Sequence, residues 1–214
     1  MYRTDPELRQ SCFRLLAALL IHMGMLLLLQ TLFGAGGRYA PALSNVCANA
    51  ICIPVFLWML KRLPENSSRT DTVFFRLFSL LLGAGVSLTF GLIMNKTGLD
   101  HAFPDMPAEQ LKEAPLWLQV AGLSILVPIS EELLYRGVVF RVIKSRLPMV
   151  VSAVFSSILF ALGHGNIIHM LYAFVMGLLL CWCADTGGIG ASILFHIGAN
   201  LAVALGPVML HNIH

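Results

Sequence analysis

Several ionisable and amide side chains lie inside, or at the ends of, long apolar stretches in the second half of the chain. They are Glu131, Glu132 and Arg136, then His164, and finally His196 with Asn200. A charged side chain at the centre of a membrane helix costs at least ~2.5–3.5 kcal/mol to insert. A chain retains such groups where they are paired, face a wet cavity or take part in chemistry, so these residues form the candidate site.

Spacing predicts different roles for the two glutamates. Glu132 and Arg136 are four residues apart, so on a helix they share one face, with the acid on the favourable N-terminal side. Glu131 is turned about 100° away from Glu132 on an α-helix and has no such local partner. We therefore predict that Glu132 and Arg136 support the site and that Glu131 is the reacting carboxylate, acting as a general base.

The remaining polar residues predict the other parts of a hydrolytic site. His196 and Asn200 are also four residues apart, and two donors on one helix face are what an oxyanion needs. Asn200 can neither give nor take a proton, so its predicted task is to polarise or orient. His164 stands directly before Gly165-Asn166, where a helix end meets a cavity, and could orient or deprotonate a water together with Glu131.

Composition places all of these residues in a membrane protein. Of the 214 residues, 57% are hydrophobic and 12% are charged, about half of the charged share of a soluble domain. The net charge of +3 does not indicate nucleic acid, because the basic residues occupy loops between apolar runs and aromatic residues do not interleave with them. Expected partners are the lipid bilayer and a peptide or membrane-protein substrate, and no nucleic acid.

The predicted fold is all-α, a polytopic transmembrane bundle of about seven spans with a catalytic core made by the last four. We expect one integral-membrane domain over 1–214, with N-terminal spans and loops over 11–114 and the catalytic core helices over 115–210. The predicted spans cover residues 12–33, 39–60, 73–94, 115–140, 149–162, 167–184 and 189–210. Asp185-Thr186-Gly187-Gly188 is predicted to turn the chain between the last two.

The distribution of basic residues predicts the orientation. With a cytoplasmic N-terminus, ten basic residues fall on the inner side: Arg3, Arg9, Arg14, Lys61, Arg62, Arg69, Arg76, Arg141, Lys144 and Arg146. Three fall on the outer side: Arg38, Lys96 and Lys112. Because cytoplasmic loops carry the excess of Lys and Arg, we predict a multi-pass protein of the cell (plasma) membrane with its N-terminus in the cytoplasm.

Three spaced motifs resemble a known family. Glu131-Glu132-x-x-x-Arg136, Phe160-x-x-x-His164 and His196-x-x-x-Asn200 are similar, in this order, to the signature motifs of the CAAX prenyl protease and bacteriocin-processing family of intramembrane glutamate endopeptidases. The resemblance covers about residues 129–205, and every signature residue is present. The first three spans are similar to that family only in being apolar.

The resemblance implies a chemistry for these residues. In that family a glutamate and a histidine activate water for attack on a peptide carbonyl, and a second histidine with an asparagine stabilises the oxyanion. Here these would be Glu131, His164, His196 and Asn200, with Glu132 and Arg136 in support. The resemblance implies no metal and no cofactor.

Other interpretations of the same residues stay open. The carboxylates and Arg136 could form a structural ion pair or the proton relay of a transporter, and the protein could be a non-enzymatic immunity or scaffold protein on the same fold. A zinc-dependent membrane protease would use the same ligand types, although no His-Glu-x-x-His pair occurs on one helix. His169 is a further candidate for lining the cavity. The sequence leaves open the oligomeric state, the route of substrate entry and the substrate itself. A CAAX-type tail, a leader or signal peptide, a signalling peptide and a bacteriocin-related target are all compatible with it.

Overall fold

The computed structural model describes residues 6–34, 36–63, 70–99 and 113–211, and within these ranges it is helical and contains no strand. The first half of the chain forms three helices: α1 (Pro6–Phe33), α2 (Ala40–Leu60) and α3 (Val73–Thr97). A composite helix α4 then spans 118–144, followed by α5 (Met149–Ala161) and α6 (Ile167–His211). Three of the counted basic residues, Arg3, Arg69 and Lys112, lie outside the described ranges.

Four of the helical stretches are long and apolar enough to cross a membrane. They are Arg9–Phe33, Ala40–Leu60, Val73–Thr97 and Ile167–Gly206. Their surfaces are lined with large exposed apolar side chains, which suits contact with lipid rather than water. The predicted all-α polytopic bundle is confirmed.

Helix α4 changes its winding along its length. It runs through a π-helical segment Leu118–Leu126, an α-helical segment Val127–Glu132, a second π-helical segment Leu133–Phe140 and a last α-helical turn Arg141–Lys144. π-Helical turns in α-helices are rare and occur frequently at functional sites. The two candidate glutamates lie at the end of the α-helical segment, between the two π-helical ones.

Helix α6 consists of two arms joined at a single residue. Gly188 adopts φ 75° and ψ 174°, a backbone conformation that glycine reaches readily and other residues rarely adopt. The residues before and after it are helical. The prediction of a four-residue turn at 185–188 is therefore wrong in detail, because one glycine suffices to redirect the chain. With α6 divided at Gly188, the described chain has seven helical segments, in agreement with the predicted number of spans.

Small residues allow α3 to pack closely along the second arm of α6. A Cβ atom on Gly83 would overlap the carbonyl oxygen of Phe195, and one on Gly198 would overlap the carbonyl oxygen of Leu80. Such close backbone approach is how membrane helices gain contact without a hydrophobic driving force between them. Because Phe195 directly precedes His196, this packing also fixes the height of the candidate site.

We predict that Gly83→Ala destabilises the bundle while Gly85→Ala does not. The added methyl group at Gly83 forces α3 and α6 apart, an overpacking effect of about 1–3 kcal/mol. A Cβ atom on Gly85 meets no atom within 4 Å, so this variant has the same chemistry without the clash. Unfolding of the two purified variants in a denaturing-detergent titration measures the difference, and equal stability would contradict the described packing.

Ion pairs and hydrogen bonds gather the helix ends at one side of the bundle, here called the basic end (Arg14, Arg62, Arg76, Lys144 and Arg146). Lys144 pairs with Asp185, and Arg146 with Glu7 at 3.3 Å. Arg14 donates to the carbonyl of Arg62. Thr70 N–H donates to the carbonyl of Thr186. The opposite end of the bundle holds the Arg38–Glu113 pair at 3.2 Å.

Candidate active site

A buried carboxylate, Glu132, forms the centre of the site. Arg136 Nη1 donates to Glu132 Oε1 over 2.7 Å, and both side chains are fully buried. The same Oε1 lies 2.9 Å from His196 Nδ1, so Glu132 joins α4 to the second arm of α6. The predicted ion pair is present, and its bond to His196 is an addition that spacing within one helix cannot reveal.

Glu131 is the more accessible of the two glutamates. Its side chain is 24% exposed, whereas that of Glu132 is 0% exposed. Glu131 Oε2 lies 3.7 Å from His196 Nε2, beyond direct hydrogen-bonding distance. The His196 imidazole therefore stands between two carboxylates, bonded to the buried one and separated by a short gap from the accessible one.

The Phe160 ring packs the site from α5. It makes edge contacts with His164 and His196, at ring-centroid distances of 5.0 and 5.7 Å, and with Tyr135 at 5.2 Å. The guanidinium carbon of Arg136 lies 4.5 Å from the ring centroid, a cation–π distance. Phe160 thus orients both histidines and covers the buried ion pair, which is more than the packing role that its apolar character indicates.

His164 reaches the site from the turn after α5. Its Nδ1 lies 3.1 Å from the carbonyl oxygen of Phe160, so Nδ1–H donates there and Nε2 is left as an acceptor. The His164 ring packs against the same Phe160 ring as His196, at centroid distances of 5.0 and 5.7 Å. His164 therefore borders the site, with Nε2 available as an acceptor.

Asn200 is anchored by a helix carbonyl that lacks its usual donor. Its Nδ2 donates to the carbonyl oxygen of Leu123 over 3.0 Å. In this π-helical segment the N–H of Val127 donates five residues back to Gly122. The next donor in that register belongs to residue 128, which is Pro128 and has no N–H. Proline thereby leaves the Leu123 carbonyl free for the Asn200 amide.

Most of the predicted residues are brought together. Glu131, Glu132, Arg136 and His196 form one cluster, with His164 beside it across Phe160. That His196 and Asn200 aim two donors at one oxyanion stays a prediction. In this structure Nδ1 of His196 is engaged by Glu132, and Nδ2 of Asn200 by Leu123.

Sequence reasoning missed the Leu123 carbonyl, and it placed Phe160 in a motif without predicting that its ring contacts both histidines. The carbonyl left a signal, since Pro128 within an apolar helix implies one carbonyl without a helix partner. Within the described ranges, no group of three or more His, Cys, Asp or Glu side chains is arranged as a metal site.

An all-helical, polytopic integral membrane protein with carboxylates and imidazoles gathered between its helices defines a class that includes intramembrane hydrolases. Comparison with known proteins finds a family match over part of the chain. Residues 113–202 match the family described as "Type II CAAX prenyl endopeptidase Rce1-like". The resemblance predicted from the three motifs is thereby confirmed over the segment that carries them.

Two curated relatives extend the similarity. The chain is 22% identical to "Putative membrane peptidase YdiL" of Bacillus subtilis (strain 168), over 92% of this chain and 88% of that protein. It is 29% identical to an "Uncharacterized 24.3 kDa protein" of Escherichia coli, over 56% of this chain and 54% of that one. No solved structure matches the chain. These similarities support a membrane protease.

Proposed function

We propose that this protein is an intramembrane endopeptidase that hydrolyses a peptide bond with a water activated by Glu131, without a metal ion. The observation that carries the proposal is the position of His196 between an accessible carboxylate and a buried, arginine-paired one. Two carboxylates in such different surroundings can have different roles. The accessible Glu131 reacts, and the buried Glu132 holds His196 in place. The family match over 113–202 supports the same class of reaction.

In the first step a water bound by Glu131 and by Nε2 of His164 adds to the scissile carbonyl carbon. The proton of that water passes to the Glu131 carboxylate, and the carbonyl oxygen becomes an oxyanion. The tautomer that His164 adopts, with Nδ1–H on the Phe160 carbonyl, leaves its Nε2 free to accept a hydrogen bond from the water. General-base activation of this kind contributes typically ~10²–10⁴-fold to a rate.

His196 and Asn200 then stabilise the oxyanion. When the His196 imidazole holds a proton on both nitrogens, Nδ1–H stays on Glu132 and Nε2–H points into the gap toward Glu131. Asn200 holds one amide hydrogen on Leu123 and retains a second for the oxyanion. The intermediate collapses as the C–N bond breaks, and the proton on Glu131 passes to the leaving amine.

Comparative mass spectrometry of membrane and released peptides tests the proposal. Cells expressing the wild-type protein are compared with cells expressing Glu131→Ala at an equal level in the membrane. We expect defined cleavage products only with the wild-type protein and the uncleaved precursor with the variant. Identical peptide profiles, with an unchanged cellular phenotype, would favour a non-enzymatic scaffold or immunity role instead.

We predict that Pro128→Ala lowers cleavage by up to ~10²-fold, the scale of a misplacement of about 1 Å in an active site. Alanine restores an N–H that competes for the Leu123 carbonyl, so the Asn200 amide loses its anchor. Pro54→Ala, an exposed proline inside α2, is the matched control and should leave the rate unchanged. Cleavage rates of the purified variants provide the measurement, and equal rates for both would show that the Leu123 anchor is dispensable.

A further inference from the structure

We propose that Ser156 of α5 is a positioning residue for the reaction, because its hydroxyl holds α4 next to Arg136 and thereby keeps Glu132 and His196 in place. This role rests on the proposed protease function, and it adds a residue that none of the three motifs contains. One hydrogen bond between helices, together with the contacts around it, supports the assignment.

The Ser156 hydroxyl forms an unusual bond for a serine in an apolar helix. Ser156 is 0% exposed, and its Oγ donates to the carbonyl oxygen of Tyr135 over 3.0 Å. Serine and threonine in helices commonly donate to the carbonyl of their own helix four residues back. Ser79, Thr89 and Ser152 do this, at hydroxyl-to-carbonyl distances of 2.8, 2.8 and 3.0 Å. Ser156 instead joins α5 to α4.

The carbonyl that accepts this bond belongs to the residue directly before Arg136. The Arg136 guanidinium donates to Glu132 Oε1 over 2.7 Å, and the same oxygen lies 2.9 Å from His196 Nδ1. A continuous series of contacts therefore leads from the Ser156 hydroxyl, through the backbone of Tyr135 and the buried ion pair, to the imidazole of His196.

Helix α5 holds this part of α4 at a second point. Ser156 and Phe160 are four residues apart and share one face of α5. The Phe160 ring lies 5.2 Å from the Tyr135 ring and 4.5 Å from the guanidinium carbon of Arg136. Apolar contact is non-directional, whereas a hydrogen bond weakens steeply when its donor angle falls below ~120°. The hydroxyl therefore fixes the rotation of α4, which ring packing alone leaves adjustable.

The first π-helical segment of α4 is attached in the same way. There the carbonyl of Leu123 accepts a hydrogen bond from Asn200 of α6, as the carbonyl of Tyr135 does from Ser156 of α5. The two attachments lie on either side of the candidate glutamates. A rotation of α4 would break at least one of these bonds, so together they keep both carboxylates at a fixed angle to the histidines.

Kinetics of purified variants test the role of Ser156. We expect Ser156→Ala to lower kcat by about 10-fold and to leave KM unchanged, because the hydroxyl acts through His196 on the transition state and not on substrate binding. Ser152→Ala removes an equally buried hydroxyl that bonds only its own helix end, and it should keep the wild-type kcat. Equal kcat values for these two variants would overturn the proposal.

A threonine variant separates the hydrogen bond from packing. Ser156→Thr keeps a hydroxyl on the same carbon atom, so it should retain most of the wild-type kcat although its side chain is larger. A loss of kcat as large as that of Ser156→Ala would overturn the proposal. If the alanine variant does not fold, the threonine variant alone decides, since a folded protein with a strongly lowered kcat would contradict the role of the hydroxyl.

NMR of protein that carries isotope-labelled histidine separates this proposal from the proposed function. The ring-nitrogen resonances of His196 report on its bond to Glu132 and require no catalysis. We expect Ser156→Ala to shift these resonances and Ser152→Ala to leave them unchanged. A shift without any Glu131-dependent cleavage would count against the protease while supporting the positioning role. Glu131-dependent cleavage, with kcat and resonances insensitive to Ser156→Ala, would retain the protease and overturn the role of Ser156.

Discussion

Glu131→Gln is expected to lower the rate of peptide cleavage by about 10²–10⁴-fold, the contribution of a well-placed general base. Glutamine has the size and shape of glutamate and can still form hydrogen bonds, but its amide cannot take the proton of the attacking water. Because the Glu131 side chain is partly exposed and its Oε2 lies 3.7 Å from His196 Nε2, beyond a direct hydrogen bond, the fold should tolerate the change. The measurement is single-turnover cleavage of an identified substrate by the purified protein.

The control for this prediction is Glu113→Gln, which changes a carboxylate that pairs with Arg38 at the end of the bundle opposite the basic end. This variant should cleave at the wild-type rate. A Glu131→Gln protein that retains full activity would remove Glu131 from the chemistry, whatever the other residues do. A loss of activity accompanied by loss of folded protein would instead point to a structural role.

Glu132→Gln is expected to lower both stability and activity, because it leaves Arg136 as a buried charge without its counter-ion. Breaking a buried ion pair by removing one partner costs about 3–5 kcal/mol. The exposed Arg38–Glu113 pair, with side chains 66% and 53% exposed, should contribute at most about 1 kcal/mol. A denaturing-detergent titration that compares Glu132→Gln with Glu113→Gln measures the difference.

A double variant separates the structural from the positioning role of the pair. Glu132→Gln with Arg136→Met removes both charges, and replacing a buried ion pair with neutral groups is often close to neutral in stability. We expect the double variant to regain much of the stability lost by Glu132→Gln. It should not regain activity, since His196 still lacks the carboxylate that orients its Nδ1. Recovery of full activity would show that Glu132 serves folding alone.

The orientation of His196 shows why spacing alone was insufficient at this site. A separation of four residues places Glu132 over Arg136 in any regular helix, so that pair was predictable from sequence. Whether His196 meets Glu131, Glu132 or both depends on the rotation and height of α6 against α4. The contacts of Gly83 and Gly198 set α6 against α3, and the bond of Asn200 to the Leu123 carbonyl joins α6 to α4. No pattern within one helix encodes either contact.

The hydrogen-bond partner of Asn200 was also not predictable from spacing within one helix. Its presence within an apolar helix marks it as a residue that needs a partner, but several partners were possible. The partner is the Leu123 carbonyl, freed by the combination of π-helical winding and Pro128. π-Helical winding is rare and was not predicted from the sequence, so the partner of Asn200 was not predicted either.

Composition and local spacing determined that this chain is a polytopic helical membrane protein, which of its residues are candidates for chemistry, and that Glu132 pairs with Arg136. These properties follow from the cost of charge in lipid and from the geometry of a single helix. The tertiary structure decided that His196 lies between two carboxylates and that the Phe160 ring contacts both histidines. Such relations join residues far apart in sequence, and they depend on how helices of unequal length pack against one another.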